Sequence, residues 1–438
     1  MKKLLVKPID YNNLKNGAIH LQGAKNSMLN NLCLPLFTKE ECIIENVPDI
    51  QDINANLLFL SNLGCDVKKL PEKKVIISCK NITNLEYDPK LAIKTTGSKL
   101  FIPILTYNFG SYNTGMSQGC NIGDRGFENY ANSLKNFGIR YEKNNAGIYK
   151  FYSGYNVESC MDLPFPSFGL TVNAILAAQA SGHSIKINNI CLEPEIDNTI
   201  EMLIKMGGSI KKNDNNISIN RTTLSGCEFR NMSDRNVAVT YSIAALILNI
   251  ELVINNYDDI KMEAFYRFLD ALQVRYTVDE NKLIIYKSNL SKVTKDFFKI
   301  KAFLYPDFHS DWQPLISPLL AILNFDSYIE EWLFQNRLSH WKELEKLGAN
   351  FNYDMENLTR FSKDGFPHAV SIHGGISLKG TTVYANDLRS AASLVLAALA
   401  AKGETIIENI EELDRGYEDL IQNLQTLGAK MDLLYESV

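Results

Sequence analysis

Leu60-Ser61-Asn62-Leu63-Gly64 sets the pattern of this chain, because a Leu-x-x-apolar signature closed by one residue returns five more times. The later copies are Leu134…Phe137-Gly138, Leu203…Met206-Gly207, Leu269…Leu272-Gln273, Leu344…Leu347-Gly348 and Leu424…Leu427-Gly428. Their closing residues fall 74, 69, 66, 75 and 80 positions apart, close to one sixth of the 438-residue chain. Self-similarity at a fixed period means one supersecondary unit copied along the sequence. The paired apolar residues form the stripe at the end of an amphipathic helix. Glycine is the residue that takes the left-handed conformation closing it, and Gln273 is the one departure. A short strand-like stretch tends to follow, as in Ala349-Asn350-Phe351.

Outward from each signature the rest of a unit can be read. About 18 residues earlier stands a strand end of Glu-Asn or Asn-Asn type: Ile43-Ile44-Glu45-Asn46, Ile187-Asn188-Asn189, Val253-Ile254-Asn255-Asn256 and Ile406-Ile407-Glu408-Asn409. That spacing is what a helical connection requires. The helices before these strands are rich in Ala and Leu, as in Ala174-Ile175-Leu176-Ala177-Ala178 and Ala391-Ala392-Ser393-Leu394-Val395-Leu396, and a helix apolar on so many faces is buried. The class is therefore α/β, with helices inside and sheets outside. Six units split into two domains of three, with the polar run Asn231-Met232-Ser233-Asp234 as the boundary. The expected domains are 1–22 with 233–438, and 23–232 carrying the Cys120 loop.

A chain of 438 residues is too long for one core and suits two domains. A net charge of −5 argues against a nucleic-acid coat, though a local cationic cleft is compatible with it. The start, Met1-Lys2-Lys3-Leu4-Leu5-Val6, has too short an apolar run for a signal peptide, and no stretch has the length of a transmembrane helix. A cytosolic protein without a membrane partner is expected. Eight cysteines form no C-x-x-C pair, which argues against a zinc site or a disulfide framework, so most should be buried thiols.

The openings of the buried helices collect the unusual residues: Gly23-Ala24-Lys25-Asn26, Thr96-Gly97-Ser98-Lys99, Ser167-Phe168-Gly169-Leu170-Thr171, Asp234-Arg235, Ser310-Asp311 and Asp387-Leu388-Arg389. Helix N-termini present unpaired N–H groups that favour phosphate or carboxylate. Ser and Asp there are otherwise plain N-caps, contributing about 1 kcal/mol each. Cations at a helix start oppose its dipole, so Lys25, Arg235 and Arg389 point to an anion, most strongly Lys25 and Arg389. The segment Gly115-Met116-Ser117-Gln118-Gly119-Cys120-Asn121-Ile122-Gly123-Asp124-Arg125-Gly126 adds a glycine-rich loop with a cysteine and an arginine that one substrate could meet.

Together Gly23-Ala24-Lys25-Asn26, Gly119-Cys120-x-Ile122-Gly123-x-Arg125, Asp387-Leu388-Arg389-x-x-Ala392-Ser393-Leu394-Val395-Leu396-Ala397 and Asp414-Arg415-Gly416-Tyr417-Glu418 resemble the UDP-N-acetylglucosamine 1-carboxyvinyltransferase family of enolpyruvyl transferases. The resemblance runs from about residue 18 to 433, and its wider superfamily includes the shikimate-pathway enolpyruvyl transferase. It implies a two-domain inside-out α/β barrel, three βαβαββ-type units per domain, with substrates in the cleft between them. The reaction it implies joins phosphoenolpyruvate to a sugar hydroxyl and expels phosphate, with no metal and no redox cofactor. It places the acid on Cys120 and the base on Asp311, with Asn26 orienting the reacting centre. Lys25, Arg125 and Arg415 match the phosphate-facing cations, while Arg337 and Arg389 match those holding the carboxylate. Ser167, Phe168, Gly169, Asp311 and Leu333 match the acceptor contacts.

Departures from the family pattern are equally informative. An arginine is expected where Gly97 stands, with Lys99 nearby, and a lysine is expected at Phe165. The run Gly126-Phe127-Glu128-Asn129-Tyr130 replaces one expected to hold Pro and Asp. The phosphoenolpyruvate side is largely intact and the nucleotide side has changed, the pattern of a diverged paralogue. UDP-N-acetylglucosamine is the default acceptor. Another sugar or nucleotide acceptor, or a binding protein without turnover, are the alternatives. Retention of Cys120, Asp311 and five cations together weighs against the last.

Overall fold

The computed structural model describes residues 2–85, 98–115, 127–145, 147–293, 297–356 and 365–435. Cys120, Arg125, Gly97 and Gly126 lie outside the described residues. The chain forms two compact units, one from Met1–Gln22 with Ser233–Val438, the other from Gly23–Gly119 with Arg125–Met232. Among the described residues no helix is long and apolar enough to cross a membrane.

Six sheets are described, three in each unit. The recurring element is a pair of parallel strands joined through a buried helix. In the first unit the strand Thr382–Tyr384 leads into the helix Leu388–Ala400 and returns as Thr405–Glu408. In the second, Cys160–Asp162, Phe168–Ser181 and Ile185–Asn188 repeat the arrangement. Parallel strands need such a crossover, which is why each unit spends a helix on it. An antiparallel pair then completes each sheet, a hairpin in all but the one where Lys2–Val6 pairs with Met431–Tyr435.

The helices Arg235–Leu248, Gln313–Ile322 and Leu388–Ala400 pack against one another at the centre of the first unit. Almost every residue of these three helices is buried. The strands bury only alternate residues, as in the half-exposed pattern of Ile185–Asn188. Helices are therefore inside and sheets outside. Trp312, Phe265 and Phe268 meet in this core with ring centroids 6.0–6.1 Å apart. Burying an aromatic ring of this kind stabilises the fold by about 2–3 kcal/mol.

Backbone geometry accounts for the sequence period. The six residues closing the Leu signatures, Gly64, Gly138, Gly207, Gln273, Gly348 and Gly428, all take positive φ, between 54° and 103°. Gln273 adopts the turn despite its Cβ, at φ 54°. A strand follows every one of the six, beginning at Asp66, Arg140, Ser209, Tyr276, Asn350 and Met431.

The four strand-end asparagines are also left-handed, with φ of 57° at Asn46, 59° at Asn189, 57° at Asn256 and 56° at Asn409. Their side chains make one bond four times over. Asn46 Nδ2 donates to Asn231 O (2.9 Å), Asn189 to Leu163 O (2.8 Å), Asn256 to Leu21 O (2.8 Å) and Asn409 to Ala385 O (2.7 Å). Each acceptor lies just past the parallel partner strand. A short amide side chain tolerates this conformation and satisfies a carbonyl that the ladder leaves open.

The cysteine reading needs correction. Cys65 and Cys79 are joined in a disulfide across the hairpin Asp66–Leu70/Lys74–Ser78. Asp66 faces Ser78 in the register, so the next residues outward, Cys65 and Cys79, stand opposite each other. Strand pairing brings them together, which residue spacing alone did not show. Cys33, Cys42 and Cys191 are buried free thiols, Cys227 is half-buried and Cys160 is exposed.

Candidate functional site

In the first unit a cluster forms where the strand Phe308–His309 and the helix Leu388–Ala400 come together. Asp311 sits between two buried arginines. Arg337 donates to one of its carboxylate oxygens, while Arg389 reaches Oδ2 through both Nε and a terminal nitrogen at 3.2 Å. Burial alone would raise the pKa of Asp311. The charges of Arg337, Arg389 and His309 override it and hold the carboxyl well below its usual range. Asp311 is thus a carboxylate neutralised by two guanidiniums, the pairing that charge-assisted forks favour.

The supporting contacts fix these guanidiniums. Asp387 caps its helix by accepting from the N–H groups of Arg389 (2.8 Å) and Ser390 (3.1 Å), and it lies 3.7 Å from Arg337. Arg389 also donates to Tyr417 Oη at 3.3 Å, and that hydroxyl pairs with Thr240 at 2.8 Å. Tyr417 belongs to the Asp414–Glu418 motif, in which Arg415 pairs with Glu412 at 2.8 Å. His340 accompanies Arg337, with Nδ1 3.1 Å from its carbonyl. Burial brings the acid form of His340 down to about 4, so it is neutral at pH 7.

The N-cap reading holds for some helix starts and fails for others. Asp234 caps the helix Arg235–Leu248 through the N–H groups of Asn236 and Val237. Ser310 and Asp311 are not caps, since their helix begins at Gln313 behind Trp312. Ser310 instead gives its hydroxyl to Glu331, at 2.9 Å and 2.8 Å from the two carboxylate oxygens. Glu331 Oε1 also accepts from the N–H groups of Leu333 (2.8 Å) and Phe334 (3.0 Å). Ser167 likewise makes no side-chain cap bond at the start of Phe168–Ser181.

In the second unit Lys25 opens the helix Lys25–Asn31, and its ammonium stands 2.7 Å from Asp52 with both side chains buried. Asn26, half-buried, follows it in the first turn. Gly23 allows the approach of this segment, because a Cβ there would lie 1.8 Å from the carbonyl oxygen of Asn46. Lys99 reaches the segment 167–169: a Cβ on Gly169 would lie 3.8 Å from its Nζ. Tyr130 links the two, donating to the Lys99 carbonyl and bonding Asn173, which donates to Gly169 O at 2.8 Å. Phe165 is 40 % exposed.

The anion expected beside the helix-start cations is, within each unit, a side chain of the chain itself: Asp311 for Arg389 and Asp52 for Lys25. Arg235 lies 5.5 Å over the Trp312 ring and donates to Lys261 O at 3.4 Å. Of the expected site residues, the structure joins Asp311, Arg337 and Arg389 directly, with Leu333 one carboxylate away. Glu331, Asp52, Thr240 and Tyr417 are site neighbours to which the sequence reading gave no role. For Glu331 the available signal was the inward alternation Ser327, Ile329, Glu331.

Comparison with known proteins follows this geometry. The family model described as EPSP synthase (3-phosphoshikimate 1-carboxyvinyltransferase) matches residues 11–424. The UDP-N-acetylglucosamine 1-carboxyvinyltransferase of a Wolbachia endosymbiont of Brugia malayi is 33% identical over 440 residues, covering 99% of this chain and 100% of that protein. UDP-N-acetylglucosamine 1-carboxyvinyltransferase 1 of Clostridium acetobutylicum is 32% identical, covering 95% and 96%. Among solved structures, the enolpyruvyl transferase NikO from Streptomyces tendae superposes with a TM-score of 0.86 at 21% identity, over 100% of this chain and 99% of that one. The EPSP synthase of Acinetobacter baumannii superposes at 0.75 with 15% identity, over 99% and 100%. These two likenesses establish the fold.

Proposed function

Because the chain belongs to the EPSP synthase family, we propose that its site works as follows. The protein is an enolpyruvyl transferase, moving the carboxyvinyl group of phosphoenolpyruvate to a hydroxyl of UDP-N-acetylglucosamine with release of phosphate. The observation that carries the site reading is Asp311 held between the buried guanidiniums of Arg337 and Arg389. These two cations take the carboxylate of phosphoenolpyruvate. As they turn to the substrate, Asp311 loses the charges that depress its basicity and becomes able to accept the proton of the acceptor hydroxyl. The hydroxyl oxygen bonds to C2 of phosphoenolpyruvate while a proton, supplied by Cys120, adds to C3. The C2–O bond to phosphate then breaks and C3 gives up a proton, leaving an enol ether and phosphate. Lys25, Arg125 and Arg415 face the phosphate, and Asn26 orients the reacting carbon. Ser167, Phe168, Gly169 and Leu333 hold the acceptor. The reaction serves peptidoglycan synthesis in the cytoplasm.

The specific observation favouring a second acceptor is the nucleotide side. An exposed Phe165 stands where the family resemblance implies a lysine, and the cation near Gly169 is Lys99. The second reading keeps the reaction and changes the acceptor to another nucleotide or sugar. Phosphate release from phosphoenolpyruvate, measured with UDP-N-acetylglucosamine and a panel of UDP-sugars and free nucleotides, tests both. Release with UDP-N-acetylglucosamine upholds the first; release only with another acceptor upholds the second. No release with any acceptor leaves a binding protein. A mass increase on Cys120 after incubation with fosfomycin and acceptor tests the phosphoenolpyruvate pocket separately.

A further inference from the structure

Glu331 interrupts a pattern kept in four other units. Along Ser327–Glu331 the residues alternate inward and outward, with Ile329 inside and Glu330 half-exposed. The strand Cys42–Glu45 shows the same alternation, with Ile44 inside and Glu45 half-exposed, and Asn46 follows. By that phase Glu331 occupies the place held elsewhere by Asn46, Asn189, Asn256 and Asn409. Those asparagines are left-handed and donate to the neighbouring strand. Here the repeat carries a carboxylate, fully buried, and the Ala302 carbonyl is satisfied instead by the Trp332 N–H at 2.9 Å. The structural duty of the position has passed to the backbone, and the side chain is committed to something else.

What it holds is specific. The Ser310 hydroxyl meets both its oxygens, and Asp311 is the next residue along the chain. The N–H groups of Leu333 and Phe334 meet Oε1, and Arg337, which grips Asp311, follows three residues later. One buried side chain thus ties the segment bearing the base to the segment bearing the acceptor contact. Three donors converge on it, and nothing at the position is left to solvent.

We infer that Glu331 is a positioning residue for the acceptor: it sets the spacing between Leu333 and Asp311, so that the acceptor hydroxyl meets the base. The inference rests on the reading above of Leu333 as acceptor contact and Asp311 as base. Glu331 touches neither substrate and takes no part in bond making.

The test compares Glu331→Gln with Glu331→Leu in the full chain. Gln keeps Oε1 as acceptor for both N–H groups, while Leu fills the space with no acceptor. Phosphate release gives kcat and the KM of UDP-N-acetylglucosamine, or of whichever acceptor the wild type uses, and calorimetry gives the affinity for phosphoenolpyruvate alone. E331L should raise the acceptor KM about tenfold or more and lower kcat comparably, with phosphoenolpyruvate affinity kept within about twofold, and E331Q should stay within about threefold of wild type. An unchanged acceptor KM in E331L, an equal loss of phosphoenolpyruvate affinity, or an E331Q as impaired as E331L each overturns the inference. Where thermal melting shows that E331L has not folded, Ser310→Ala decides. It leaves the Leu333 and Phe334 bonds intact and should lower kcat about threefold to tenfold at constant phosphoenolpyruvate affinity, and unchanged kinetics would overturn the inference. A wild type that releases phosphate beside an unaltered E331L sinks this inference alone. A wild type that releases none with any acceptor sinks the functional reading and this inference with it.

Discussion

Asp311 and Glu331 lie in the same unit and share Ser310 as a neighbour, yet their surroundings drive them in opposite directions. Asp311 is flanked by two guanidiniums and stays ionised far below the usual range. Glu331 is buried deeper, and its bonds to Phe334, Leu333 and Ser310 with the charge of Arg337 do not offset the loss of water. Its acid is pushed up to about 7. Two carboxyls in one site are thereby assigned different work by their partners: ion pairs make an anion that a competing anion can release, and hydrogen bonds make an anchor. Environment, more than residue type, sets the role.

The comparison can be broken most decisively at Asp311. Asp311→Asn should lower kcat by about a thousandfold, the scale of a lost general base, and should tighten phosphoenolpyruvate binding because the arginines no longer have an internal carboxylate. Calorimetry with phosphoenolpyruvate checks the second half, and weakened binding would contradict the exchange of partners. Next in size is a stability slope. The unfolded chain ionises Glu331 near 4.5, but the folded chain retains the proton until about 7. Folding is therefore stabilised less and less as pH rises through that window, by about 3 kcal/mol in all at about 1.4 kcal/mol per pH unit, and the loss levels off above it. Asp311 acts with the other sign: its stabilisation is full above 3.8 and fades as pH falls further. Urea midpoints between about pH 5 and pH 8 should fall for the wild type and fall less for E331Q, and parallel curves would remove the contrast. Smaller still, Asn409→Ala should cost about 1 kcal/mol in melting experiments without altering either substrate affinity. An effect on kinetics there would mean that the asparagine position and Glu331 do not differ as described.

Much of the fold was legible because its punctuation is chemical. Left-handed residues close each of the six Leu signatures, glycine in five and Gln273 in the sixth, and asparagine marks four strand ends, so the period could be counted from letters. Asp234 and Asp387 were readable as caps for the same reason. Other features depend on which strand lies beside which. The Cys65–Cys79 bridge exists only through hairpin register, and the partners of Ser310 and Lys25 come from segments distant in sequence. Glu331 was hidden by its neighbour Glu330, since two adjacent glutamates look alike until the inward face is known. Arg389 was flagged by its place at a helix start and Arg337 through resemblance alone, while their shared grip on Asp311 needed coordinates.

The strand Lys2–Val6 pairs on one side with Thr405–Glu408 and on the other with Met431–Tyr435. On the ribosome, then, Lys2–Val6 must wait until Thr405–Glu408 has emerged before finding either neighbour, whereas the intervening unit has received all its described strands by Arg230. Translation that stops before Met431 yields a polypeptide in which Lys2–Val6 keeps at most one of its two partners.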